Sequence, residues 1–158
     1  MSKPEVIDHA AFFAATEPLQ AELDNATAHL QTLVSEKAAL PAMRDDAILA
    51  GDASTYQYVT EREQALPAEM LMAEIAQAKA RVRLCTAMKD AALEYRAATS
   101  EAAYRLGATA GYPEGSARGN QALQEYEGAR GIVASVGQAL GAAQLSLESA
   151  LQKAAQRR

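Results

Sequence analysis

The chain has 158 residues, a formal net charge of −5, and 49% hydrophobic against 22% charged residues, with two Phe and no Trp. That balance is too apolar for a disordered chain. It is too acidic on average for a general binder of phosphate backbones, which needs clustered Lys and Arg. Much of the apolar fraction is Ala, so long helices packed closely side by side are expected rather than a core of large side chains.

The N-terminal stretch MSKPEVIDHAAFFAATEP carries Glu5 and Asp8 where a secretory leader would be apolar, so no signal peptide is expected there. A short helix over 5–16, around Val6–Ala15, is expected there. A helix over 18–50 follows, with Pro18 in its first turn, where the missing N–H costs nothing. Its seam runs Leu19, Leu23, Ala26, Leu30, Leu33, Lys37 and Leu40, the alternating three- and four-residue spacing of a coiled coil with one polar break. Gly51-Asp52-Ala53-Ser54 reads as a stop and restart. Gly51 supplies a left-handed C′ position, and Ser54 with Gln57 suits a capping box.

A second long helix is expected over 54–106, kinked near Pro67. Its main apolar stripe is Val59, Leu66, Met70, Ala73, Ala80, Leu84, Met88, Ala91, Tyr95, Ala98, Ala102 and Leu106, and a second stripe is formed by Leu71, Ile75 and Val82. Two apolar faces require two neighbours, so this helix is expected to be central. The tetrapeptide Ala-Leu-Pro-Ala occurs at 39–42 and again at 65–68. Its prolines, Pro41 and Pro67, are nearly equidistant from the turn. An internal proline bends or breaks a helix, and one in a first turn starts a fresh helix. Either way Pro41 and Pro67 mark a hinge line below the tip.

Residues 107–119, GATAGYPEGSARG, form a Gly-rich loop. No Gly-Lys-Ser/Thr follows and no strand precedes it, so it reads as a connector rather than a phosphate cradle. Asn120 then caps a last helix over 120–156. Within it GIVASVGQALGAAQLSL carries no charge, with Ile132, Val133, Val136, Leu140, Ala143, Leu147 and Leu151 on one face. Ser135, Gln138, Ser146 and Ser149 oppose them, a polar face that argues against a membrane span. Gly137 and Gly141 form a small-xxx-small pair that would let another helix approach closely. This helix is therefore expected to be covered on more than one face, with Ile132, Val136, Gly137, Leu140 and Gly141 as a contact to another subunit. Lys153, Arg157 and Arg158 suit the negative end of its dipole.

The search for chemistry-bearing groups returns little. His9 and His29 lack the Glu-x-x-His spacing of helical di-iron sites, and there is no His-Glu-x-x-His, Cys pair or Gly-x-Ser-x-Gly. Asp45, Asp46 and Asp52 lack the alternating ligands of a calcium loop. The single cysteine, Cys85, reads as a core residue in a reducing compartment. Tyr56 and Tyr58 beside the turn are of a type enriched at binding surfaces.

These features predict an all-α, elongated antiparallel helical hairpin, coiled-coil-like, with a third long helix packed alongside as a single three-helix domain. Over Leu19–Leu84 the chain resembles, in composition and in its Gly-Asp turn, small Ala-rich helical-hairpin proteins of bacteria and bacteriophages. The expected function is non-enzymatic: a self-associating structural protein, a scaffold, adaptor or connector of a bacterial or phage assembly. The alternative is a regulatory module gripping a protein partner with its hairpin tip. No cofactor, metal, nucleic acid or membrane span is expected, and the location is cytoplasmic, or a virion assembled there.

Overall fold

The computed structural model describes residues 8–105 and 117–157. The elements in chain order are α1 (His9–Phe13), a single 3-10 turn (Ala14–Thr16), α2 (Glu17–Ala50), α3 (Ala53–Arg105) and α4 (Ala117–Gln156). The described chain is all-α: a hairpin of long helices, a third long helix and a short N-terminal one. Its packing divides into two compact units, Ala21–Arg81 with Gln144–Arg158, and Met1–Gln20 with Val82–Ala143.

The first of these units holds the hairpin. Buried positions on α2 recur every seven residues, at Leu33, Leu40 and Ala47, and those on α3 recur likewise at Val59, Leu66, Ala73 and Ala80. Leu33, Leu40, Val59, Leu66 and Ala73 form one apolar cluster, with Leu30 and Met70 against it. This is the heptad seam of the sequence, and Lys37 is its exposed break. Ile75 and Ala78 are also buried. They lie across α3 from the hairpin seam, so a second face is covered as expected. Glu74, Gln77, Ala78 and Arg81 line a cleft together with Ser146, Ser149 and Ala150 of α4.

Polar contacts tie the hairpin at its edges. Arg62 of α3 grips Glu36 of α2 with two hydrogen bonds of 2.6 and 2.9 Å and Glu69 with two of 2.8 and 3.0 Å. Both carboxyls are held below the ordinary range by the Arg62 guanidinium, through its hydrogen bonds first. Arg44 reaches Glu63 at 3.1 Å, and the Gln77 amide donates to the Thr27 hydroxyl at 2.9 Å. The basic end of α4 is spent in the same unit. Lys153 lies 3.5 Å from Glu74, and Arg157 donates to the Pro67 carbonyl at 2.9 Å.

In the other unit Cys85, Leu140 and Ala143 form a cluster with Val82 against it. The Cys85 thiol is thus a buried core group, as its sequence setting suggests. Tyr95 is buried, with His9 edge-on at 5.0 Å and Phe12 at 5.5 Å between ring centroids. Burial raises the Tyr95 phenol pKa, and the Glu125 charge adds to it. Thr99, fully buried, donates to the Tyr95 and Arg96 carbonyls at 3.0 Å each.

Several boundaries differ from expectation. The N-terminal helix is a single short turn sequence opened by Asp8, whose carboxylate accepts from the Ala10 N–H at 3.0 Å; residues 5–7 lie outside the described residues. Helix α4 begins at Ala117, so Asn120 is inside it and not at its cap. The rest of the Gly-rich loop, 107–116, lies outside the described residues, as does Leu106. Neither proline starts a fresh helix: α2 runs unbroken through Pro41 and α3 through Pro67.

Candidate functional site

The turn between α2 and α3 is built by two residues. Gly51 adopts φ +67°, the left-handed conformation that favours glycine. Its N–H donates to the Ile48 carbonyl at 3.2 Å, and the next N–H, of Asp52, donates to the Ala47 carbonyl at 2.9 Å. These two bonds are the Schellman closure of α2. Asp52 then opens α3. Its carboxylate accepts from the Ser54 and Thr55 N–H groups at 3.1 Å each and from their hydroxyls at 2.8 and 2.6 Å. The N-cap is therefore Asp52, and the capping box expected of Ser54 and Gln57 does not form; the Gln57 amide instead donates to Glu61 at 2.9 Å. Four donors on one carboxylate, the Thr55 hydroxyl first, hold the Asp52 carboxyl down at about 2.

Around this turn apolar side chains are left in solvent. Leu49 is 86% exposed, Ile48 60%, Tyr58 49% and Tyr56 45%. Ala47, Ile48, Gly51, Asp52, Ala53 and Tyr56 line a shallow groove of about 340 Å³, with buried Ala47 at its base. Of the two tyrosines singled out in the sequence, Tyr56 lines this groove. Tyr58, two residues on and so turned away on the helix, does not. Ile48 and Leu49 were not singled out, because in sequence they only continue the apolar pattern of α2.

The other expected contact surface is covered only in part within the chain. Val136 and Leu140 are buried, and Leu140 packs with Cys85. Ile132, Gly137 and Gly141 are half-buried. A methyl added at Gly137 or Gly141 would meet nothing within 4 Å, so no helix among the described residues uses the pair for close approach. Burial on α4 instead follows Ala122, Ala129, Val136, Ala143 and Ala150, one every seven residues. Within the chain itself α4 is not covered on several sides: Ser135, Gln138, Leu145 and Ser146 are exposed, and so is Leu151 from the expected stripe.

No group of three or more His, Cys, Asp or Glu side chains among the described residues is placed to hold a metal ion. Among them, too, no helix is long and apolar enough to cross a membrane. The fold and the turn define a helical hairpin with a third helix alongside and an apolar tip. The chain matches no protein-family model, no curated protein and no solved structure in the three comparisons made.

Proposed function

We propose that the protein is a non-enzymatic interaction module that engages a protein partner through the α2–α3 tip, as an adaptor or connector within a larger assembly. The observation that carries this reading is the exposure of Ile48, Leu49 and Tyr56 about the turn, with Ile48 and Tyr56 lining its groove. An exposed apolar cluster on a well-capped turn is the expected form of a partner-binding surface. The use of polar groups elsewhere supports it: the buried Thr99 hydroxyl serves backbone carbonyls, and the Arg62, Arg44 and Lys153 charges join helices. Self-association through the α4 stripe has less support, since Val136 and Leu140 are covered by the chain itself.

The test compares the protein with Leu49→Ser and Tyr56→Ala in capture from the native host, with light scattering alongside. Both variants should keep full helicity and the mass of the parent while losing the captured protein. Capture unchanged in both variants refutes the reading.

A further inference from the structure

The charges around the tip narrow what it would hold. Between Asp45 and Tyr58 the sequence is DDAILAGDASTYQY, with three Asp and no Lys or Arg. Asp45 stands three and four residues before Ile48 and Leu49, hence on their face of α2, and Asp46 is three before Leu49. Both are exposed and make no ion pair among the described residues. Asp52 lines the groove itself, and its four hydrogen bonds keep it ionised. The nearest cation, Arg44, is turned to Glu63 through bonds of 3.1 and 3.4 Å. The groove is therefore mostly apolar, with Asp52 in its lining and Asp45 and Asp46 on the adjoining surface of α2.

Resting on the proposed function, we infer that the occupant of this tip is a basic amphipathic helix of a partner protein, with apolar residues set in the groove and Lys or Arg facing Asp45, Asp46 and Asp52. Charge complementarity selects the sign of the partner and suppresses other encounters. The helical form follows from the backbone. The groove is walled by two helix ends, where the Ala47 and Ile48 carbonyls accept from the Gly51–Asp52 turn and the Ser54 and Thr55 N–H groups donate to the Asp52 carboxylate. An added strand finds no edge there, whereas an apolar helix face needs none. A second copy of this chain is a poor occupant, because tip against tip brings like charges together. Anionic membrane is disfavoured by the same carboxylates.

The experiment is selection of a displayed random library of 16-residue peptides on the immobilised full-length protein. The selected peptides should carry apolar residues at i, i+3 or i+4 and i+7, with an excess of Lys and Arg. Synthesised singly, they should bind Leu49→Ser about tenfold or more weakly, the loss expected for one buried leucine. Asp45→Asn with Asp46→Asn should weaken them about threefold or more, and added salt should weaken the parent complex as well. Leu145→Ser, a change at an exposed leucine of α4, should leave binding intact, and circular dichroism checks that each variant is folded. Selected peptides that depend on Leu49 but carry no basic excess overturn the inference and leave the proposed function standing. An absence of any peptide sensitive to Leu49 overturns both, as does partition of the parent, but not Leu49→Ser, onto neutral phosphatidylcholine vesicles.

Discussion

Leu40 and Leu66 form one layer of the hairpin core: both are almost fully buried in the same cluster, and each lies 13 residues from Ala53 along its own helix. Leu33 with Ala73 and Ala47 with Val59 are mirrored about the same residue. The repeated Ala-Leu-Pro-Ala word thus places its leucines inward and its prolines, both exposed, outward. Truncating Leu40 or Leu66 to alanine should cost about 2–5 kcal/mol in urea unfolding. Replacing Pro41 or Pro67 by alanine should stabilise by up to about 3 kcal/mol, because a helix interior pays for proline in a lost bond and a clash. We propose that the prolines are kept as a hinge for the tip. The double variant should then be more stable yet weaker in partner capture.

Asp52 gives the hairpin an acid-sensitive joint. Its carboxyl falls from an ordinary 3.8 to about 2 on folding. The stability it contributes is present above pH 3.8 and is lost as pH falls through about 2. Glu36 and Glu69 are lowered in the same direction by Arg62, so they share the acid limb. Asp52→Asn keeps an acceptor for the cap and removes the titration. Thermal melts from pH 5 to pH 2 should show a flatter acid limb for Asp52→Asn, with only a small change at pH 7.

Gly51 is where backbone conformation alone sets stability. An added methyl meets nothing within 4 Å, so Gly51→Ala should be destabilised only by the cost of φ +67°, about 1–2 kcal/mol. Gly51→Asn should lose less, because asparagine tolerates that region better. Equal losses in the two variants would show that space, not conformation, matters at the turn.

On α4 glycines and alanines should respond to substitution with opposite signs. Gly137→Ala and Gly141→Ala should each stabilise by roughly 0.5–1 kcal/mol, since helix propensity improves and the methyl enters open space. Ala129 is fully buried in the seven-residue row, and Ala129→Leu should cost about 1–3 kcal/mol through overpacking. Chemical unfolding of the three variants checks both signs. Sedimentation of the glycine variants tests the small-xxx-small contact: a changed mass would reinstate it as an intermolecular surface.

The α2 seam, the central place of α3 and the Gly51 stop were legible because leucines at heptad spacing and a glycine before aspartate are strong local signals. The α4 seam was not. Alanine marks it at four of five positions, and alanine is so common here that a leucine stripe drew the reading to Leu147 and Leu151. Asp52 is as good a capping residue type as Ser54, and nothing in the local sequence separates them. Only the hydrogen bonds decide, and Asp52 wins by closing α2 with its N–H while opening α3 with its carboxylate. The exposure of Ile48 and Leu49 was invisible for a different reason: an apolar residue in a helical pattern reads as buried until the neighbour it lacks is known.

The central claim, that the tip is the binding surface, is tested most directly by a photo-crosslinking amino acid placed at position 49 in the native host, with position 145 as an exposed control. The account predicts a discrete adduct with a partner at position 49, lost when Ile48→Ser is added, and none at 145. The same adducts at both positions, or none at 49, would contradict it.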